Sequence, residues 1–317
     1  MKIVAGVATD TGQVRDHNED SFIVEPPLYA IADGMGGANA GEVASQLALE
    51  TIGDMQRAGE TTLDDEVREA NRVVFTRSGE DTKFAGMGTT VTAALASAEA
   101  LHLVHVGDSR AYLLRAGSLR QLTHDHTLVD RMVQAGEISR DEADVHPHRN
   151  VLIRALGTEP KVDVEALDLG LLDGDQVLIC SDGLTDMVSD EDILDVVERH
   201  RGDLDRVTKS LVAAANRGGG EDNITVVAFE ISEDGGETAR MPMVEEDTME
   251  NVAAPKVDTM VVPPEHVEEV FVEPGSPEAA AVTRREPISP AARVRLVLAM
   301  LLLLSVAAVL LVWGLVR

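Results

Sequence analysis

Tyr29-Ala30-Ile31-Ala32-Asp33-Gly34-Met35-Gly36-Gly37 is the stretch on which the reading of this chain turns. An apolar run halted by glycine predicts a buried strand that ends at a sharp turn. Asp33 then stands at the strand's end, held by the strand and exposed by the turn. Glycines at 34, 36 and 37 let the backbone bend and let a ligand approach it closely. An ordinary turn with a solvated Asp would show the same local pattern. The pattern recurs, however: Asp33-Gly34, Gly107-Asp108, Asp182-Gly183 and Asp222-Asn223 all lie just outside apolar strands, and Glu19-Asp20 adds another acidic pair.

Several such turns in one domain predict carboxylates converging on one place. Crowded carboxylates raise one another's pKa and repel, and a divalent cation removes that cost. All-oxygen ligands without a His or Cys cluster select hard ions, so Mg²⁺ or Mn²⁺ is expected and Zn²⁺ is not. A pair of such ions can activate water and clamp a phosphoryl group. Arg15 would supply a planar grip on phosphate oxygens.

Outward from that stretch, Lys2–Thr9, Ser21–Val24, Met87–Ala98, Leu101–Val106, Val162–Leu167, Gln176–Cys180 and Ile224–Ile231 read as strands, and Ala111–Leu114 with Leu119–Leu122 as a hairpin around Gly117. Apolar residues recur at helical spacing in 41–57, 63–76, 127–135, 190–199 and 204–216. The segment 136–150 lacks a clear period and is expected to be a surface loop or flap. Strands in runs with helices grouped in pairs predict an α+β layered domain over residues 1–232 rather than a βαβ alternation.

Composition narrows the function. A formal net charge of −29 argues against binding nucleic acid or anionic lipid, and 3% aromatics leave no stacking platform for bases. The single cysteine, Cys180, permits no internal disulfide, which suits a reducing cytosol. Met1–Thr9 carries too short an apolar run for a signal peptide. Residues 233–290 shift to Glu, Pro, Val and Thr without a period and are expected to be a disordered acidic linker. Within it, Glu246-Asp247-Thr248-Met249 and Val257-Asp258-Thr259-Met260 are similar acidic Thr sites, which chance explains most simply; phosphorylation of Thr248 and Thr259, docking a phosphothreonine-binding partner, is the rival. In 291–317, Leu296–Val316 is uncharged and almost wholly apolar, long enough for one membrane-spanning helix. Arg284, Arg285, Arg293 and Arg295 precede it and only Arg317 follows, so the positive-inside bias places the preceding domain on the cytoplasmic side of a cell membrane.

Arg15-x-x-Asn18-Glu19-Asp20, Asp33-Gly34-Met35-Gly36-Gly37, Gly88-Thr89-Thr90, Val106-Gly107-Asp108-Ser109-Arg110, Ser181-Asp182-Gly183-Leu184 and Glu221-Asp222-Asn223-Ile224 occur in that order. Together they resemble the bacterial form of the protein phosphatase 2C family of metal-dependent serine/threonine phosphatases. The resemblance implies a sandwich of two antiparallel sheets flanked by helix pairs, with metals at one end. It implies that Asp33 bridges two ions, that the Gly34 carbonyl binds one of them, and that Asp182 and Asp222 complete the second site. Asp108, with Asp182, matches the place of a third, looser ion. Asp20 and Glu19 would act through metal-bound water, Arg15 would bind phosphate, and 136–150 falls where the family has a mobile flap. Animal members carry a His after the Asp-Gly pair, proposed to protonate the leaving group; Met35 stands there instead, as in many bacterial members, and leaves that role unassigned.

The implied substrates are phosphorylated proteins, among them Ser/Thr kinases and their targets, reached from a shared membrane. A tethered non-catalytic scaffold, or a phosphatase dedicated to one partner, are the alternatives. No nucleotide cofactor is expected: Glu42 stands where a phosphate-cradling loop needs Lys, and Asn39 where a dinucleotide fingerprint needs its last Gly. Cys180 is not a phosphatase nucleophile, because Asp186 occupies the position of the required Arg, and is read as a buried strand residue. His17, His124, His126, His146 and His148 have no ligand spacing and are read as surface or flap residues.

Overall fold

The computed structural model describes residues 2–36, 40–59, 61–97, 99–232 and 260–261. Strand β1 (Lys2–Asp10) leads through the Arg15 loop to β2 (Asp20–Glu25) and β3 (Leu28–Met35), and then to helices α1 (Ala40–Ala58) and α2 (Leu63–Glu80). There follow β4 (Gly88–Thr89), β5 (Val91–Ala96), β6 (Ala100–Val106), β7 (Arg110–Arg115) and β8 (Ser118–Gln121). Two short helices, α3 (Leu128–Gln134) and α4 (Arg140–Asp144), precede β9 (Val151–Leu152), β10 (Glu165–Gly170) and β11 (Gln176–Cys180). The turn α5 (Asp182–Thr185), the pair α6 (Asp190–Arg199) and α7 (Leu204–Gly218), β12 (Ile224–Ser232) and a bridge, β13 (Met260–Val261), complete the order.

Strands run β1-β12-β11-β7-β8 in one sheet and β10-β6-β5-β3-β2 in the other, with β4 paired to the end of β3. The pairings within both sheets are antiparallel, and β13 lies parallel to β9. The expectation of an α+β domain with two antiparallel sheets holds.

Alternation along the strands explains why the central runs are apolar at every position. On β3, Tyr29 and Ile31 face the opposite sheet, while Leu28, Ala30 and Ala32 face α1 and α2. On β12, Val227, Phe229 and Ile231 face inward and Val226 and Ala228 face α6 and α7. Each strand is covered on both faces, so both parities are mostly apolar. Tyr29 stacks on Phe229 across the sandwich, with ring centroids 4.2 Å apart. Truncating either ring to Ala would open a central cavity at a cost of about 3–5 kcal/mol.

Four local expectations change. β3 runs through Asp33 and Gly34 to Met35, because β4 pairs Gly34 with Thr89 and Met35 with Gly88 and so extends the ladder past the predicted turn. Met87–Ala98 is interrupted at Thr90, whose side chain turns to the Asp33 amide. The strand expected at 162–167 is Glu165–Gly170, where pairing to β6 decides its bounds. The 136–150 segment contains α4, started by a capping box in which Ser139 and Glu142 satisfy each other's backbone amides.

The expected span 296–316, Thr248 and Thr259, and all of the linker but Met260 and Val261 lie outside the described residues. Among the described residues no helix is long and apolar enough to cross a membrane.

Candidate active site

One end of the sandwich gathers the acidic turns. β2 and β3 are in register there, Asp20 opposite Asp33. β12 begins just after Asp222, and β11 ends just before Ser181 and Asp182. The shared end follows from antiparallel pairing, which brings strand starts beside strand ends.

Backbone hydrogen bonds fix each carboxylate's base. The Asp33 amide donates to Thr90 Oγ1 (3.0 Å), and its carbonyl accepts from Thr89 Oγ1 and the Thr90 amide, both at 2.8 Å. The Gly34 amide donates to the Glu19 carbonyl (3.2 Å). Gly34 must be glycine, since a Cβ would lie 2.1 Å from the Gly41 carbonyl oxygen. Asn223 accepts from the Glu19 amide and donates to the carbonyls of Thr11 and His17, tying the Arg15 loop to β12. Ser181 Oγ donates to Asp20 Oδ2 at 3.0 Å.

Burial pushes Asp20 up to about 7, and the charges of Asp222 and Glu19 add to it. Asp33 and Asp182 are driven well above the usual carboxylate range, first by burial and then by their acidic neighbours. Asp33 feels Asp20, Asp182, Asp222 and Asp108, and Asp182 feels Asp108, Asp222, Asp186 and Asp20. Asp108 is raised to about 7 by burial and by Asp125 and Asp186, and Glu19 is raised mainly by burial. The side chains named from the sequence therefore share one electrostatic neighbourhood. Arg15 faces it, 2.6 Å from Asp222 Oδ2, and despite its burial Asp222, Asp33 and Asp182 strengthen its hold on its proton.

A cation fits this donor set. Asp20 Oδ1 and Asp182 Oδ1 are buried without a hydrogen-bond partner, an arrangement that costs free energy unless a positive charge meets it. The donors are oxygens, as hard divalent ions require. Among the described residues no three His, Cys, Asp or Glu side chains close on one ion unaided. Coordination would therefore need further oxygen donors, such as backbone carbonyls and water, beside the carboxylates, as Mg²⁺ and Mn²⁺ sites ordinarily do.

Beside the carboxylates opens a cavity of about 770 Å³, lined among others by Asp108, Arg149, Asp182 and Asp186 and by Arg140 and Ala143 of α4. The 136–150 segment thus borders the site. Met35 packs with Leu152 and Ala155, so the position after Gly34 is apolar contact with the flap's base and offers no proton donor. Cys180 is fully buried and its thiol is pushed up to about 12 by burial, which removes it as a nucleophile. His126 departs from the expected surface position: it is 6% exposed and bonded into the site's support, as is His105 at 1%. Sequence spacing had no signal for either, because their partners are brought in by other strands.

A family model described as protein phosphatase 2C matches residues 13–217. The chain belongs to the protein phosphatase 2C family. It is 40% identical over 236 residues to serine/threonine phosphatase stp of Listeria welshimeri, covering 70% of this chain and 93% of that one. The crystal structure of the Mycobacterium tuberculosis serine/threonine phosphatase PstP/Ppp superposes with a TM-score of 0.69 at 40% identity, over 73% of this chain and 99% of the other. The catalytic domain of PstP in complex with 2 manganese ions gives a TM-score of 0.66 at 38% identity, over 73% and 99% of the two chains. Membership of protein phosphatase 2C carries the expected enzyme class, a metal-dependent protein phosphatase.

Proposed function

We propose that this chain hydrolyses phosphoserine and phosphothreonine in proteins at a Mn²⁺ or Mg²⁺ centre held by Asp33, the Gly34 carbonyl, Asp182 and Asp222, with Asp108 and Asp182 holding a third, looser ion. The observation that carries the reading is the pair of unpartnered buried oxygens, Asp20 Oδ1 and Asp182 Oδ1, among carboxylates that raise one another's pKa. When bound, the ions supply Lewis acidity to the phosphoryl group and generate the nucleophile from water. Asp20, hydrogen-bonded to Ser181, and Glu19 hold water in the outer shell. Arg15 places its guanidinium at the mouth of the site, where its planar donors suit phosphate oxygens.

The test is hydrolysis of phosphothreonine peptides by the full chain, with and without Mn²⁺, beside Asp182→Asn. Losing one ligand of a two-ion site should remove several kcal/mol of charge stabilisation, so kcat/KM should fall roughly a thousandfold. Equal activity of the two proteins, or activity indifferent to chelation, contradicts the assignment. A folded wild type that binds Mn²⁺ and turns over no phosphoprotein favours the scaffold alternative.

The sequence from Leu296 to Val316, with the arginines before it, supports a tether that keeps the domain at the cytoplasmic face of a membrane. There it would oppose Ser/Thr kinases that share the bilayer, since a common surface raises effective concentration. Recovery of the full chain in the soluble fraction after cell lysis would end that part of the reading.

A further inference from the structure

The turn that carries Asp108 begins in the left-handed region: Gly107 has φ +120°, and a Cβ there would lie 2.6 Å from the Thr90 side chain. Its anchors come from the segment between β8 and α3. Ahead of Asp108, the Gly107 amide donates to His126 Nδ1 (3.0 Å), and the Gly107 carbonyl accepts from the His126 amide (2.7 Å). Beyond it, Arg110 donates through Nε and Nη2 to both oxygens of Asp125, with the closest contact 2.6 Å. The His126 carbonyl in turn accepts from the Ile153 amide at 2.9 Å. Thr127 caps the start of α3, the helix that leads into the 136–150 flap, and Ile153 follows β9, the strand after it. One residue therefore ties the Asp108 turn to the segments that precede and follow the flap.

The tautomer follows from the geometry. A backbone amide only donates, so Nδ1 of His126 is bare and its ring proton sits on Nε2. That nitrogen lies 3.2 Å from Glu165 Oε2, and Glu165 Oε1 meets His124 Nδ1 at 3.0 Å. Partial burial works against the Glu165 charge, but its bonds to His126 and His124 hold the carboxyl down to about 2. Arg154 Nη1 is 3.1 Å from the same Nε2 and cannot donate to a nitrogen that already carries hydrogen. A carboxylate orienting an imidazole that orients a ligand-bearing group is the logic of outer-shell support at metal centres.

We propose that His126, oriented by Glu165, is a positioning residue that locks the Asp108 turn to the base of the flap and thereby sets the affinity of the Asp108 cation site. This rests on reading Asp108 as a ligand, and the experiment separates the two. Mn²⁺ binding to the metal-stripped full chain is titrated by calorimetry and by electron paramagnetic resonance, for wild type, Asp108→Asn, His126→Ala, His126→Asn and Glu165→Ala. Asp108→Asn should abolish the weakest class of sites. His126→Ala should weaken that class about 10–100-fold, while tighter sites stay within roughly threefold. His126→Asn, whose amide oxygen can accept from Gly107, should recover most of the loss. If Asp108→Asn acts and His126→Ala leaves the weak sites unchanged, the proposal is overturned and the ligand reading stands. Parallel weakening of all sites with a fallen Tm, not recovered by His126→Asn, also overturns it. If Asp108→Asn changes nothing, the premise itself fails and takes the proposal with it. Should His126→Ala not fold, Glu165→Ala, which keeps the imidazole, must weaken the same class several-fold; an unchanged Kd overturns the proposal.

Discussion

At the scale of single residues, the site is set by what cannot be larger as much as by what is charged. A Cβ on Gly34 would meet the Gly41 carbonyl oxygen at 2.1 Å and the Glu19 carbonyl oxygen at 2.6 Å, both backbone atoms that cannot rotate away. Gly117, at the β7–β8 hairpin, has φ +75° and open space around it. Gly117→Ala should therefore cost only left-handed strain, about 1–2 kcal/mol. Gly34→Ala should cost at least ~4 kcal/mol, since strands β2, β3 and the start of α1 must all shift. Urea titration of both variants checks this, and equal midpoints would show that Gly34 is not sterically required. The quoted motif displayed Gly34 and Asp33 plainly. It hid that both lie inside a strand, because the pairing that extends the strand comes from Gly88 and Thr89, more than fifty residues away.

At the scale of elements, legibility followed locality. Tyr29–Ala32 was readable as buried because helices and the second sheet cover both its faces, leaving an unbroken apolar run. The acidic turns were readable because each stands beside its own strand. The support of Asp108 was not, since His126 and Glu165 are joined only when β10 pairs with β6. Helix α4 was readable in principle: Ser139-x-x-Glu142 is a capping box, outweighed by the short and polar helix behind it. That cap yields a local prediction. Ser139→Ala should remove about 1 kcal/mol from α4 alone. Hydrogen exchange at the α4 amides should quicken roughly fivefold, the exponential of that cost over RT, while the global Tm moves by less than about 3 °C. Because Arg140 and Ala143 of α4 line the cavity beside Asp182, KM for phosphopeptides should change more than kcat. A kcat loss with unchanged exchange would separate the cap from the flap's behaviour.

At the scale of the whole molecule, a chain with formal net charge −29 folds around buried carboxylates, and this makes stability depend on pH and cation together. Asp20 and Asp108 are raised to about 7 in the fold, against about 3.9 for an unfolded Asp, and burial among the same carboxylates also holds Asp33 and Asp182 well above the usual carboxylate range. Between those values the metal-free native state binds more protons than the unfolded chain, so its stability falls as pH rises from about 4 to 7. Above that window Asp20 and Asp108 are charged in both states and their whole cost is present. A divalent ion binds only the ionised carboxylates, so it offsets the cost where the cost exists and competes with protons where it does not. The Tm gain from 1 mM Mn²⁺ over chelated protein should therefore be several degrees larger at pH 8 than at pH 5.5. Mn²⁺ binding followed by calorimetry in two buffers of different ionisation enthalpy should also show net proton release near pH 6.5. A Tm gain equal at both pH values, with no proton release, would mean that these carboxylates do not hold the ions. The same titration on Asp33→Asn should lose most of the Mn²⁺-dependent Tm gain at pH 8, because a proposed ligand is gone, while burial still holds Asp20 and Asp108 at about 7.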